Sequence, residues 1–315
     1  MYEKVLIATD FSKYAEKIID CVGEIPGIKE VILLHVLAKD PLARVWSPGD
    51  EIKKAKTDME AYAFRYRKIL QEADLSVKVR AEIAEETPEY AVIERVAKEE
   101  KVSLIIMGAR GRSIWQGLLL GSVSSGVLRY GEKDLLIMRY KTLDEVDKGE
   151  MGKFCSRMFG KVLVPTDFSS AGNAAIEKIR DAKLTNNVLL LSVVAKGENQ
   201  SQVDVALKNA QEKLEDMKAD LAMSGIFAKT IGVSAASGGA KTYGSGGMVK
   251  VETTPLATVG GVVDRILSVA EIENVSLIAM SSHGKDWLDE AVIGSVASDV
   301  ARMGPRPVLI VRSKR

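Results

Sequence analysis

The sequence predicts two α/β domains in tandem, each a doubly wound (Rossmann-like), mostly parallel five-stranded sheet with helices on both faces. Three observations carry this expectation. The chain repeats itself. Within each repeat, short β-branched runs alternate with longer helical patterns. The strand-like runs hold few polar side chains, as strands buried on both faces do.

The repeat is read directly from the residues. Val5-Leu6-Ile7-Ala8-Thr9-Asp10-Phe11-Ser12 returns 157 positions later as Val162-Leu163-Val164-Pro165-Thr166-Asp167-Phe168-Ser169. Val31-Ile32-Leu33-Leu34-His35-Val36 returns at the same offset as Val188-Leu189-Leu190-Leu191-Ser192-Val193. Val102-Ser103-Leu104-Ile105-Ile106-Met107 returns as Val275-Ser276-Leu277-Ile278-Ala279-Met280, now 173 positions on, and Gly121-Ser122-Val123 as Gly294-Ser295-Val296. Three blocks in one order indicate duplication. The expected domains are residues 1–140 and 161–315, joined by a linker over 141–160 that begins with the polar run Lys141 to Glu150. The second copy carries a Gly-rich insertion near 235–250.

In the first copy, strands are predicted at 4–9, 31–37, 77–83, 103–108 and 134–139, and helices at 12–23, 51–73, 88–100 and 121–130. The second helix places Ala55, Met59, Tyr62, Ala63, Tyr66, Ile69 and Leu70 three and four residues apart, the spacing of one buried face. For the third, Thr87 is the expected N-cap and Pro88 the first helical residue.

Composition narrows the function. The 315 residues carry 44 basic and 43 acidic side chains, a balance with no long-range pull toward nucleic acid or an anionic membrane. No apolar run approaches the ~20 residues of a membrane span, and the N-terminus shows no targeting signal, so a soluble cytoplasmic protein is expected. Cys21 and Cys155 make no disulfide framework and no zinc motif; Cys21, in an apolar helical stretch, is expected to be a buried thiol.

The chemistry is expected beyond the carboxyl ends of the strands. Gly108 and Gly111 follow the fourth strand, and Gly121-Ser122 opens the last helix after a spacer of nine residues. Glycines there let the backbone turn and approach a ligand. The helix N-terminus offers amides, a hydroxyl and the positive end of the dipole. Singly, each glycine is an ordinary turn residue. Together they outline a cradle for a di- or triphosphate.

Gly108-x2-Gly111-x9-Gly121-Ser122 resembles the phosphate-binding motif of the ATP-binding branch of universal stress proteins (UspA-like). Ala8-Thr9-Asp10-Phe11-Ser12 and His35-Val36 are similar to that family's first and second strand ends. The resemblance runs over nearly the whole chain as two copies. It implies a stress-response regulator that binds ATP or AMP, with Mg²⁺ accompanying ATP. By the same resemblance Ala8, Thr9 and Asp10 lie near the adenine, and the backbone of Val36 reads its edge. Met107, Gly108, Arg110, Gly111, Gly121, Ser122, Val123 and Ser124 then surround ribose and phosphate. The matching positions of the second copy are Pro165, Thr166, Asp167, Val193, Ser281, His283, Gly284, Gly294 and Ser295.

The second copy departs from the motif. Ser281 replaces the first glycine, Ser192 stands for His35 and Ala297 for Ser124. A positive φ at Ser281 would force its loop to shift, and weaker binding is expected there. In the first copy, the last strand lacks the prolines of Gly304-Pro305-Arg306-Pro307.

Other features have bland readings beside sharp ones. Lys241-Thr242 suggests a P-loop, but Ala235 and Ala240 occupy its glycine positions; a mobile loop or hairpin tip is expected instead. His35 is expected to pack rather than to catalyse. Arg110 and His283 are loop bases beside the phosphate or simply solvated. No nucleophile–base pair or metal-ligand set assembles at the glycines, so no catalytic residue is assigned. The leading expectation is a nucleotide-dependent sensor or switch. The alternatives are a low-turnover ATPase or adenylyl-transferring enzyme, and an interaction module with empty pockets. The final strands, Leu135 to Met138 and Val308 to Val311, are expected to pair the copies as an internal pseudo-dimer, with homodimers secondary. Protein partners are not named by the sequence.

Overall fold

The computed structural model describes residues 1–38, 48–72, 74–109, 120–139, 155, 157–194, 200–234, 243–244, 261–284 and 293–313. They divide into two compact units, Met1–Ser156 and Arg157–Arg315.

In the first unit the apolar runs become strands β1 (Lys4–Ala8), β2 (Glu30–Ala38), β3 (Ser76–Ala84), β4 (Leu104–Gly108) and β5 (Asp134–Met138). Helices α1 (Lys13–Val22), α2 (Pro48–Glu72), α3 (Glu89–Glu99) and α4 (Ser122–Tyr130) alternate with them. All neighbours pair in parallel, in the order β3-β2-β1-β4-β5. The chain moves outward from β1 through β2 to β3, then returns to the other side of β1 with β4. That reversal opens a crevice above the carboxyl ends of β1 and β4. Among the described side chains the core follows the predicted positions; that of Ile69 lies outside the described ones. Val5, Leu6, Ile7, Val31 to Leu34, Leu104 to Ile106 and Leu135 to Ile137 are buried, and so are Ala55, Met59, Tyr62, Ala63, Tyr66 and Leu70 of α2.

Two expectations are corrected. Helix α3 starts at Glu89, with Pro88 as its N-cap at ψ 151°, because the extended backbone of Pro88 stands outside the helix; Thr87 is not the cap. Cys21 is no free thiol. Its Sγ is bonded to that of Cys155 at 2.11 Å, both residues buried, which fastens the far end of the unit to α1. The linker expected over 141–160 thus ends in packed residues; most of it lies outside the described ones.

The second unit repeats the plan with β6 (Val162–Pro165), α5 (Ala174–Ala182), β7 (Asn187–Val194), α6 (Gln200–Met223), β8 (Phe227–Ser234), β9 (Tyr243–Gly244), α7 (Val262–Ile272), β10 (Leu277–Ser281), α8 (Ser295–Met303) and β11 (Val308–Val311). The order is β11-β10-β6-β7-β8-β9, parallel except for β9, which runs antiparallel to β8 with Tyr243 opposite Gly232. Strand β9 is the part of the Gly-rich insertion that is described; Lys241 and Thr242 lie outside it. Among the described residues, no helix is long and apolar enough to cross a membrane.

At the amino ends of the strands, both units use one carboxylate as a clamp. Glu100 meets Lys4 at 3.4 Å, Lys78 at 2.7 Å and Arg80 at 3.0 Å, tying the end of α3 to β1 and β3. Its counterpart Glu273 meets Lys161 at 2.8 Å and Lys229 at 3.0 Å. Hydrogen bonding from Lys78, helped by Arg80 and Lys4, holds Glu100 at about 2, against the opposing effect of its burial. Burial also works against Glu273, yet Lys161 and Lys229 hold it below the ordinary carboxylate value.

Two predictions follow from these ties. A folded-state value below the ordinary 4.5 means that Glu100 stabilises the fold above that pH and loses its contribution as pH falls toward 2. Glu100→Gln should therefore lower the urea midpoint at about pH 7, and the gap from the unsubstituted protein should narrow at about pH 3. A gap independent of pH would contradict this account. Reduction of the disulfide, which spans 134 positions, should cost the first unit on the order of 4 kcal/mol through the freed unfolded chain. Denaturant titrations with and without reductant, and of Cys21→Ala, measure that loss.

Candidate functional site

A short polar sequence sets the end of β1. In Thr9-Asp10-Phe11-Ser12 the Thr9 Oγ1 accepts from the Phe11 amide at 3.1 Å, and the Asp10 Oδ1 accepts from the Ser12 amide at 3.0 Å. Such side-chain-to-backbone bonds are what Thr and Asp supply where a strand must turn. Ser12 then caps α1, its hydroxyl accepting from the Ala15 amide at 3.2 Å. The turn forces Phe11 to φ 60°, a left-handed conformation that a bulky residue seldom adopts. Packing holds it there. The Phe11 ring lies 4.3 Å from that of His35 and 5.0 Å, edge-on, from that of Tyr62. His35 Nδ1 is 2.8 Å from the Thr9 carbonyl oxygen, and the Thr9 hydroxyl donates to the Tyr62 oxygen at 3.3 Å. Burial pushes the Tyr62 phenol up to about 12, which keeps it protonated. His35 is the packed residue that its place in an apolar strand implied.

On the other side of the crevice, β4 ends at Gly108. The Ala109 amide donates to the Met138 carbonyl and the Gly121 amide to the Ala109 carbonyl, each at 2.8 Å, so the two ends of the glycine loop meet. Gly121 is the N-cap of α4 and gives it no side-chain bond. The amide of Gly121 is thus committed, contrary to the expectation that it would serve a ligand. The amides of Ser122, Val123 and Ser124, in the first turn, have no intrahelical acceptor. The Ser124 hydroxyl is buried and donates to the Gly108 carbonyl at 2.8 Å, which ties the start of α4 to the end of β4.

Between these walls lies a cleft of about 250 Å³. It gathers Ala8, Thr9, Asp10, Val36, Met107, Gly108, Gly121, Ser122, Val123 and Ser124, ten of the positions picked from sequence. Arg110 and Gly111 lie outside the described residues. Its floor, however, includes residues that the sequence did not single out: Ala15, Ile18, Leu34, Ile93 and the carboxylate-bearing Glu89. Ala15 and Ile18 share a face of α1, and Glu89 opens α3. A helical spacing from Ser12 would have found the first two.

The cleft pairs an apolar slot with directed polar groups. Val36 alternates in step with Leu34, whose carbonyl accepts from Thr9 at 2.9 Å. Its own N–H and C=O therefore point toward the gap left where β1 stops. Beside these groups the cleft offers the Asp10 carboxylate and the apolar surface of Ala15, Ile18 and Leu34. An anion suits the open start of α4. Among the described residues, no group of three His, Cys, Asp or Glu side chains is placed to hold a metal ion.

The second unit reproduces the turn. Phe168 donates to Thr166 Oγ1 and Ser169 to Asp167 Oδ1, each at 3.0 Å, and Phe168 sits at φ 63°. Gly294 donates to the Ser282 carbonyl and Ser282 to the Val311 carbonyl, each at 2.8 Å, as in the first unit. Pro165 and Val193 keep their places in β6 and β7, and Gly294 precedes Ser295 as the N-cap of α8. His283 Nδ1 lies 2.8 Å from the Ser282 hydroxyl. Ser281 does not take a positive φ, so its Cβ needs no loop shift. Its buried hydroxyl donates to the Gly172 carbonyl at 2.8 Å and accepts from the Ala175 amide at 3.0 Å. Ala297 is buried where the first unit has Ser124.

The family model described as the universal stress protein family matches residues 1–139 and again 158–312. A universal stress protein of Methanocaldococcus jannaschii is 29% identical over 158 residues, 45% of this chain and 97% of that protein. One of Mycobacterium tuberculosis is 26% identical over 245 residues, 78% of this chain and 73% of its own length. The crystal structure of a universal stress protein from Archaeoglobus fulgidus aligns over 99% of both chains with a TM-score of 0.66 at 22% identity, a likeness of fold.

Thr9→Val tests the turn. It removes the acceptor for Phe11 and the donor to Tyr62 in a buried setting, and should destabilise the first unit by about 1–3 kcal/mol in denaturant titration. A neutral effect would mean that the turn does not depend on Thr9.

Proposed function

Since the chain belongs to the universal stress protein family through both of its halves, we propose that its first unit binds an adenine nucleotide, ATP or AMP, and acts as a nucleotide-dependent switch in a stress response. The observation that carries this reading is the cleft. One continuous space joins the turn at Asp10, the backbone of Val36, Gly108 and the uncapped start of α4. The base takes the apolar slot over Ala15, Ile18 and Leu34. Asp10 accepts from its amino group or from the ribose, and the phosphates lie against the first-turn amides of α4. Were Mg²⁺ to accompany ATP, Asp10 would be the carboxylate to hold it, and the ion would offset phosphate charge. The nucleotide acts as a switch to the extent that it binds two states of the protein unequally. Cytoplasmic residence and homodimer formation belong to the same proposal, and sedimentation of the whole chain with and without ATP tests the second.

Gly121→Val tests the site. The new side chain stands at the mouth of α4, and calorimetry should show ATP affinity lower by tenfold or more, about 1.4 kcal/mol. Unchanged affinity would remove this cleft as the site.

A further inference from the structure

The turn after β6 copies the one after β1, but the helix that follows does not start in the same place. Helix α1 begins at Lys13, directly after its cap Ser12, whereas α5 begins at Ala174, four residues later than the repeat offset requires. Ser169, the counterpart of Ser12, keeps the bond to the residue three positions on, Gly172 standing for Ala15, and adds one to Asp167. Its hydroxyl donates to Asp167 Oδ1 at 2.6 Å and accepts from the Gly172 amide at 2.9 Å. The N-cap residue Asn173 gives α5 no side-chain bond. The missing cap comes instead from another strand. Ser281, at the end of β10, takes the Ala175 amide on its oxygen and gives its proton to the Gly172 carbonyl.

At the repeat offset, Gly172 and Ala175 correspond to Ala15 and Ile18, and Ser281 to Gly108. Those three residues of the first unit line its cleft. The second unit bridges the same interval with a buried hydroxymethyl group. The Asp167 carboxylate presses on Gly172 and Gly284 so closely that a Cβ at either would collide with it.

We propose that Ser281 sets ligand specificity in the second unit: its hydroxyl latches the start of α5 to the end of β10 and shuts out the nucleoside that the first unit admits. The inference rests on the reading of the first unit's cleft as an adenine-nucleotide site. One residue thus divides two copies of a single plan into a binding unit and a closed one.

The test uses the whole chain and ATP. Calorimetry should find one ATP per chain, and Gly121→Val should weaken it tenfold or more. Adding Ser281→Gly to Gly121→Val should open the second unit and raise ATP affinity at least tenfold over Gly121→Val alone. Ser281→Thr, which keeps the hydroxyl, should leave it shut. A double variant that binds no better than Gly121→Val overturns the proposal, and so does a second ATP on the unsubstituted chain. Hydrogen exchange reads the latch without nucleotide. The Ala175 amide should exchange at least tenfold faster in Ser281→Ala and at the original rate in Ser281→Thr. Equal rates in all three overturn the latch. ATP binding unchanged by Gly121→Val, with the Ala175 result as expected, would instead fault the reading of the first unit.

Discussion

Strand β1 pairs with β2 only as far as Ala8 and Leu34, while β2 and β3 stay paired to Ala38 and Ala84. A strand that stops early inside a parallel sheet leaves its neighbour's peptide groups pointing into a gap, and something polar must meet them. Here the chain turns away through Thr9 to Ser12, carrying a carboxylate into the opening. Beyond the gap, β4 ends on a glycine and the next helix begins without a side-chain cap. The crevice is thus a consequence of unequal strand lengths in a sheet whose order reverses between β1 and β4. Its apolar floor comes from the same helices that bury the core.

The two ends of the sheet do different work. At the amino ends, Glu100 and Glu273 collect lysines, and in the first unit an arginine, from separate strands into compact ion clusters. Exposed pairs are worth little, but a mostly buried carboxylate shared by several cations resists displacement more than an isolated surface pair. At the carboxyl ends, the polar groups are turns, caps and loop closures. They can change partners without disturbing the strands. The second unit shows this freedom: its strands keep the plan, and the start of α5 is rewired.

Much of this was legible because burial writes itself into composition. Runs such as Val31 to Leu34 are apolar on both faces and return in the second copy, so the strands and their parallel pairing could be read. Gly108 and Gly121 stood out by their spacing, and Asp10 by the resemblance of its segment to the family's first strand end. Ala15, Ile18 and Glu89 did not, since their place in the cleft depends on how α1 and α3 lie on the sheet. Pro88 carried a start signal offset by one residue. Ser281 could be seen as a departure, but its bonds reach residues 106 and 109 positions away, which no local pattern reports. Cys21 and Cys155 are hidden for the same reason. Only the folded path brings their Cα atoms to 4.7 Å.

That bond also changes what cutting the chain means. Cys21 lies in the first helix and Cys155 beyond the last strand of the unit, so nearly every surface loop of the first unit falls between them. A protease that nicks any of those loops releases nothing. The pieces stay covalently joined, migrate together until a thiol is added, and keep the Asp10 turn and the start of α4 in one molecule. A broken backbone and a lost domain are therefore separate events in this unit.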